Sequence, residues 1–373
     1  MGESLQHAKV TRRRGLARGL RRTVVGAVLV TMTAGMTAAS GASAPARVGS
    51  RAGSTPTHLA FRSNGTPILN GMTFNLGNAA GSAHVGDTNV HNLVRFLQKW
   101  GANASQTNAS QNATELAVAG GKLVATSGPL PTEVDAGLVA FGPNQVHLDD
   151  ELLASPSIKT LADLKGKSVA YCCGASPDGV MLSAVLAKAG LKQSDIHLIA
   201  TGASSSSLNA LVAGQVDAAF TAAAGLPSSI TSKFRSLATA TELLPNYADS
   251  FMAAQPSWLK ANPAEAEAID LAWLASAKLF NGNEVSWVAN AATYTSNADP
   301  VADYELAWRQ LKHLNGWPLA LSSFSQPQFT YNLKVAKQQA ALTGAGLRPA
   351  SKEADYGPWQ AAWKQFSAHA RSY

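Results

Sequence analysis

The stretch 161–199, "LADLKGKSVAYCCGASPDGVMLSAVLAKAGLKQSDIHLI", decides the fold of this chain. Residues 168–173 form a short run of β-forming residues. Ser176, Pro177 and Asp178 follow as a cap serine, a proline at the first helical position and an acid in the first turn. Apolar residues then recur at helical spacing as far as Gly190, where a glycine ends the pattern. The stretch predicts a strand, a loop and a helix, which is a unit typical of α/β proteins.

A second helix is predicted upstream, in "DTNVHNLVRFLQKWG" (87–101). Val90, Leu93, Val94 and Leu97 share one helical face, and the closing glycine is a stop signal. Further along, "NPAEAEAIDLAWLASAKLF" (262–280) begins like a capping box with proline at the first helical position. Seven of the eight tryptophans lie between 258 and 363, so the last third is predicted to be helical and aromatic.

The sequence also contains an internal repeat. "ELAVAGGKLVAT" (115–126) and "NALVAGQVDAAF" (209–220) share a helix end, a glycine, one further residue, an aliphatic residue and an alanine. Aligning Gly121 with Gly214 gives an offset of 93 residues, and aligning the helix-ending glycines at 101 and 190 gives 89. The two halves are therefore predicted to be versions of one unit.

The N-terminus predicts export. The first 22 residues carry seven Lys or Arg against one acid, Glu3, and an uncharged segment, "TVVGAVLVTMTAGMTAASGASA" (23–44), follows. This pattern is typical of a signal peptide, here with a cut after Ala42. A retained membrane anchor is the alternative, although the apolar core is shorter than the roughly 20 residues of a span. Arg21 and Arg22 leave both the general secretory and the twin-arginine routes open.

Removing the signal also changes the charge of the chain. It takes away seven of 30 basic residues and one of 23 acidic ones, so the net charge falls from +7 to +1. That balance does not favour nucleic-acid binding. The 331 residues that remain exceed what one hydrophobic core usually supports, which predicts two lobes. The expected layout is a signal peptide (1–42), a flexible leader (43–57), lobe 1 (58–146), lobe 2 (147–245), and the return to lobe 1 with the C-terminal helices (246–373).

From about 157 to 220 the chain resembles the substrate-binding proteins of ABC importers for nitrate, sulfonate, taurine and thiamine precursors. The resemblance rests on the "DLKGK" turn (163–167), the small-residue loop that opens a helix, the "GLKQSDI" turn (190–196) and the "ALVAGQVDA" helix end (210–218). It extends more loosely back to Phe74 and forward to about 290. Val124 stands where the family usually has an acid, and there is no lipobox cysteine near the signal cut.

The resemblance implies a two-lobe α/β fold of the type II periplasmic-binding-protein kind, with a hinge and a ligand cleft between the lobes. It implies a small-molecule solute and an ABC permease as partners, no cofactor, and a monomer in the periplasm or at the cell surface. The expected function is a solute receptor and not an enzyme. A secreted enzyme on the same fold and a solute-sensing adaptor are the alternatives.

The ligand is expected at the strand ends and helix starts, where small side chains let backbone N–H groups approach it closely. The loops "GASPDG" (174–179) and "TGASSSS" (201–207) are the main candidates, with ordinary helix capping as the alternative interpretation. No Lys or Arg lies in these loops, which predicts neutral hydrogen bonds to a compact anion or to a zwitterionic or heterocyclic molecule. The predicted ligand residues are Asn78, Ser110, Asn112, Ser127, Gly174, Ala175, Ser176, Ser204, Ser205 and Thr221.

Metal binding is not predicted. Neighbouring strand residues point to opposite faces, so Cys172 and Cys173 are expected to place one thiol in the core and the other near the cleft. A vicinal disulfide is the alternative. His84 and His91 lie seven residues apart without a third ligand at metal-binding spacing.

Two catalytic patterns are incomplete. The sequence around Gly166-Lys167 has Leu161 where a P-loop needs its first glycine, and "GASPD" (174–178) lacks the last glycine of Gly-x-Ser-x-Gly. Neither pattern therefore supports an enzyme.

Overall fold

Two five-stranded sheets organise the chain. The structure is a computed structural model that describes residues 58–78, 88–108, 123–128, 137–174, 176–295, 300–343 and 353–373. Its strands are β1 Ala60–Phe61, β2 Pro67–Ile68, β3 Thr73–Asn78, β4 Asn103–Asn108, β5 Leu123–Gly128, β6 Val139–Gln145, β7 Asp150–Ala154, β8 Ser168–Tyr171, β9 His197–Ala200, β10 Ala218–Ala222, β11 Arg235–Thr239 and β12 Ser250–Ala254. The first two strands form a separate two-stranded sheet.

Helices connect and cover the strands. The helices of the described residues are α1 Thr88–Lys99, α2 Pro177–Ala189, α3 Ser204–Val212, α4 Ser228–Thr231, α5 Ala240–Leu243, α6 Pro256–Ala261, α7 Pro263–Gly282, α8 Glu284–Tyr294, α9 Val301–His313, α10 Gln326–Thr343 and α11 Gly357–Ala368. Within that part of the chain, no helix combines the length and the apolar character that crossing a bilayer requires.

The two large sheets have the same topology. In the first, the order is β4-β3-β5-β12-β6, and in the second it is β9-β8-β10-β7-β11. The first three strands of each order run parallel, the fourth strand (β12 or β7) runs antiparallel to them, and the fifth (β6 or β11) runs in their direction again. The strand order is therefore repeated in the two sheets, as the internal repeat predicts, while the helix end at 115–122 lies outside the described residues.

The local predictions for α1 and α2 are confirmed. Val90, Leu93, Val94 and Leu97 are buried, and the helix stops before Gly101, whose positive φ of 101° favours glycine. Ser176 is the N-cap of α2, and the helix ends at a glycine in the left-handed conformation. Both helices thus end where the glycine signals predict, and α2 also begins at its predicted cap.

Helix α7 is buried on nearly all sides, from Ala264 to Phe280, because it lies between α1, α11 and β6. The indole Nε1 of Trp273 donates a hydrogen bond to the carbonyl of Asn144, 3.1 Å away, which ties the helix to the first sheet. The predicted capping box at its start is wrong: the Asn262 side chain does not cap the helix and donates instead to the carbonyl of Trp258.

The chain passes twice between the sheets, between β6 and β7 and between α5 and β12. The two crossing segments bond to each other, Leu148 N to Tyr247 O at 3.2 Å and Asp249 N to Gln145 O at 3.0 Å. Helix α10 packs on α2, and its Val335 belongs to the core of the second sheet. The return segment therefore contacts both sheets, whereas the expected layout attached it to lobe 1. The lobe boundaries themselves stay a prediction.

Candidate functional site

The carboxyl ends of the parallel strands β8, β9 and β10 meet at one edge of the second sheet, where the loops into α2 and α3 begin. Ser176 and Thr221 are buried there, Ser204 is half-buried, and Ser205 is exposed. Ligands of open α/β sheets bind at this kind of edge. The structure thus places four of the predicted side chains along one border of the sheet.

A buried carboxylate, Asp178, holds these loops together. Its Oδ2 accepts a hydrogen bond from the backbone N–H of Cys172 at 2.6 Å, and its Oδ1 accepts one from the Ser204 hydroxyl at 2.9 Å. The N–H of Gly202 also donates to the carbonyl of Cys172 at 3.0 Å. The loop after β8 and the loop after β9 are therefore joined through one acidic side chain.

Ser176 acts within its own loop. Its hydroxyl donates to the carbonyl of Cys173 at 2.7 Å and accepts from the N–H of Gly179 at 3.4 Å. The carbonyl of Gly174 accepts a hydrogen bond from the Gln339 side chain of α10, so the C-terminal part of the chain supports this loop. Ser176 is consequently a helix cap in this structure, which is the interpretation that the sequence left open beside ligand contact.

Asp150 completes the acidic centre. It begins β7 opposite Ala222 at the end of β10, and its side chain is buried against the carboxyl of Asp178. Burial raises the pKa of Asp150 well above its usual value, and the charge of Asp178 raises it further, as do Asp149 and Asp249. Of the two carboxyls, Asp150 is therefore the one whose surroundings most favour the protonated form.

Asp178 carries the negative charge of this pair. Burial raises its pKa, but the hydrogen bonds that it accepts from Cys172, Ser204 and Asp150 favour its ionised form. The sequence interpretation missed Asp150 and treated Asp178 only as a first-turn acid. The signal that could have revealed the pair is the run Asp149-Asp150-Glu151 at the start of an otherwise apolar strand.

The adjacent cysteines depart from the prediction in their geometry. Cys172 is buried and Cys173 is half-buried, yet their sulphur atoms lie only 3.3 Å apart. Strand β8 ends at Tyr171, so the alternation of side chains along a strand does not apply to either cysteine. The premise that the two thiols point to opposite faces is therefore wrong, although one thiol is buried and the other partly accessible, as expected.

The remaining predicted ligand residues fall outside the described residues or at strand ends of the first sheet. Ser110, Asn112 and Ala175 lie outside the described residues, as does His84. The backbones of Asn78 and Ser127 lie at the carboxyl ends of the parallel strands β3 and β5.

No group of three or more His, Cys, Asp or Glu side chains that could hold a metal ion occurs among the residues that the structure describes. His91 lies against the ring of Tyr294, with ring centroids 5.6 Å apart, and burial lowers its pKa. Its surroundings are those of a packed aromatic side chain.

A separate cavity of about 740 Å³ lies beside the segments that cross between the sheets. It is lined by His147 and Asn246 from those segments, and by Trp317 and Tyr331 from the C-terminal third among others. None of the predicted ligand residues that the structure describes lines it.

Comparison with known proteins agrees with this architecture. Residues 151–281 match the family model described as "NMT1/THI5 like". Over 90 residues the chain is 37% identical to a Brucella abortus (strain 2308) protein provisionally named as a binding protein, a match that covers 24% of this chain and 27% of that relative. The matched segment thus spans only about a quarter of the relative's length.

Solved structures match over a larger part of the chain. The alkanesulfonate-binding protein SsuA from Xanthomonas axonopodis pv. citri, bound to MOPS, has a TM-score of 0.60 at 18% identity and covers 78% of this chain and 100% of its own. The nitrate-binding protein NrtA from Synechocystis PCC 6803 has a TM-score of 0.62 at 11% identity, covering 82% of this chain and 91% of its own. The family resemblance and the fold class predicted from the sequence are confirmed. The chain contains an NMT1/THI5-like segment within the two-lobe α/β fold of periplasmic binding proteins.

Proposed function

We propose that the protein is an exported solute receptor, which binds a small polar molecule between its two lobes and delivers it to an ABC-type import permease. The observation that carries the proposal is the edge of the second sheet, where the loops into α2 and α3 are joined through Asp178. A fixed set of loops at the carboxyl edge of parallel strands is the arrangement that ligand binding in this class of fold requires.

The charge at this edge favours one of the two predicted ligand classes. Asp178 places a buried negative charge in the first turn of α2 and beside the first residue of α3, where it opposes the positive ends of the helix dipoles. The loops 174–179 and 201–207 supply no Lys or Arg to offset it. A compact anion is therefore disfavoured there, and a heterocycle that donates hydrogen bonds, of the thiamine-precursor type, is favoured over nitrate or a sulfonate.

The first test identifies the ligand and separates receptor from enzyme. Protein purified from its own host is denatured, and the released small molecules are identified by mass spectrometry. The same molecule, added back to the emptied protein, should bind and be recovered unchanged. Conversion to a product would support the alternative of a secreted enzyme and contradict the proposal.

The second test addresses ligand class by calorimetry. An amino-substituted pyrimidine is compared with nitrate, taurine and an alkanesulfonate under equal salt. The proposal expects the pyrimidine to bind at least about tenfold more tightly, because a like-charge contact at an interface costs several kcal/mol and about 1.4 kcal/mol already corresponds to tenfold. Tighter binding of nitrate, taurine or the alkanesulfonate would contradict the ligand class.

Closure of the cleft is the expected consequence of binding. X-ray scattering should show a smaller radius of gyration in saturating ligand than in its absence. An unchanged profile with proven binding would argue against hinge closure. A monomer, export by the N-terminal signal and capture by a permease belong to the same proposal.

A further inference from the structure

The two cysteines form a compact chemical unit at the candidate site. They are the only cysteines of the chain, and the Sγ atoms of Cys172 and Cys173 are 3.3 Å apart. They follow directly after β8, where the backbone turns toward α2. Any chemistry that joins the two sulphur atoms therefore acts on the loop between this strand and this helix.

The backbone of the pair is bonded to both candidate loops. The N–H of Cys172 donates to Asp178 at 2.6 Å, and its carbonyl accepts from Gly202 at 3.0 Å. The carbonyl of Cys173 accepts from the hydroxyl of Ser176 at 2.7 Å. A change in the torsion angles between the cysteines must shift at least one of these three bonds.

The two thiols are not equivalent. Cys172 is buried and Cys173 is partly accessible. The hydrogen bond to Cys173 and burial both raise the pKa of the Cys172 thiol, so Cys172 holds its proton, and Cys173 is the sulphur that an external reagent can reach. The accessible thiolate is the nucleophile in thiol–disulfide exchange, and its neighbour is placed to resolve the mixed disulfide.

We propose that Cys172 and Cys173 are a redox modification site, which closes reversibly to a vicinal disulfide and thereby rearranges the loops into α2 and α3. The oxidant is a small-molecule or protein disulfide. The Cys173 thiolate attacks one sulphur of the oxidant, which forms a mixed disulfide and releases the oxidant's other sulphur as a thiolate. Cys172 then gives up its proton and attacks Sγ of Cys173, the intramolecular bond forms, and the second thiolate leaves. In total the two cysteines lose two electrons and two protons, and the oxidant becomes two thiols.

Adjacency makes this disulfide a switch and not a permanent crosslink. Neighbouring Cα atoms lie about 3.8 Å apart across a trans peptide, whereas ordinary disulfides join Cα atoms about 4.4 to 6.8 Å apart. Closing the ring therefore distorts the local backbone, and a distorted disulfide is readily reduced again. The redox chemistry is independent of the proposed function. Only the effect of oxidation on solute binding rests on the proposed function.

The test uses the full chain and glutathione disulfide. Mass spectrometry of the reduced wild-type protein should show the loss of two hydrogen atoms after incubation, without a lasting glutathione adduct, and dithiothreitol should reverse it. The Cys172→Ser variant should instead accumulate a glutathione adduct on Cys173, because no resolving thiol remains. The Cys173→Ser variant should react at least about tenfold more slowly than Cys172→Ser, because the remaining thiol is buried and protonated.

A wild-type protein that keeps both thiols, or that stops at a stable glutathione adduct, would overturn the proposal without any use of the variants. Equal reactivity of the two variants would overturn the assigned roles. Hydrogen exchange measures the structural effect: the Cys172 and Gly202 amides should exchange about tenfold faster after oxidation, which corresponds to about 1.4 kcal/mol of lost protection. Amides that pair β7 with β11 are the control and should not change. Oxidation with unchanged exchange at both loop amides would overturn the coupling to the loops, whatever the ligand proves to be.

Discussion

Replacing Asp150 by asparagine should stabilise the protein at neutral pH. Asp150 is buried and held neutral beside Asp178, because burial and neighbouring acids raise its pKa well above the usual value. In the unfolded chain the same carboxyl ionises near pH 3.9. Above that pH the folded state binds one more proton than the unfolded state, and its stability falls by about 1.4 kcal/mol per pH unit until the folded pKa is reached.

The Asp150→Asn variant removes this pH-dependent loss of stability while keeping the contact with Asp178. Its amide Nδ2 can donate to Asp178 as the protonated carboxyl does, and it does not ionise. The free energy of unfolding of the variant, relative to wild type, should therefore rise from pH 4 toward pH 7 with a slope approaching 1.4 kcal/mol per unit. Urea unfolding at several pH values, with m held in common, gives this difference directly.

Asp163, whose pKa is shifted in the opposite direction, provides the matched control. Asp163 is exposed, and its pKa is lowered because it accepts hydrogen bonds from the N–H groups of Lys159 and Thr160. Its contribution to stability is present above the unfolded pKa and is lost as the pH falls. Asp163→Asn should therefore be less stable than wild type at pH 7, and the difference should shrink on acidification. A difference for Asp150→Asn that is independent of pH, or that falls with rising pH, would refute the assignment of the proton to Asp150.

Three further substitutions test the candidate loops and the second crossing segment. Ser204→Ala should weaken ligand binding by roughly five-fold to a hundred-fold and lower the free energy of unfolding by about 1 to 3 kcal/mol, because the buried carboxylate of Asp178 loses a donor. Calorimetry measures the binding and urea unfolding measures the stability. Ser206→Ala, at an exposed position on the same helix, is the control. Gly179→Ala should cost about 1 to 3 kcal/mol in thermal unfolding, since a Cβ would overlap the carbonyl of Gly174, and wild-type stability in that variant would contradict the close packing of the loop. Asn332→Ala removes two hydrogen bonds to the second crossing segment, and the free energy of unfolding from urea titration should fall by about 2 to 4 kcal/mol. A decrease in this free energy below about 1 kcal/mol would show that water replaces the amide.

Short-range chemistry could be predicted from the sequence because it involves residues a few positions apart. The apolar spacing in α1, the stop at Gly101 and the cap at Ser176 each depend on one turn of backbone. The internal repeat also indicated two copies of one unit, and the family resemblance supplied the two-lobe fold. The failed capping box at Asn262 shows the limit of such rules, because the side chain found a nearer acceptor in the preceding helix.

The acidic centre was decided by the tertiary structure alone. Asp150 and Asp178 are 28 positions apart and meet because β7 inserts beside β10, while α2 starts from the neighbouring strand β8. Nothing in either local pattern encodes that sheet order, which depends on how the whole chain buries its apolar surface. The sequence determined that neutral and acidic side chains lie at helix starts. Only the sheet order determined that two of the acids share one buried proton, since a pKa depends on the groups that surround a carboxyl in space.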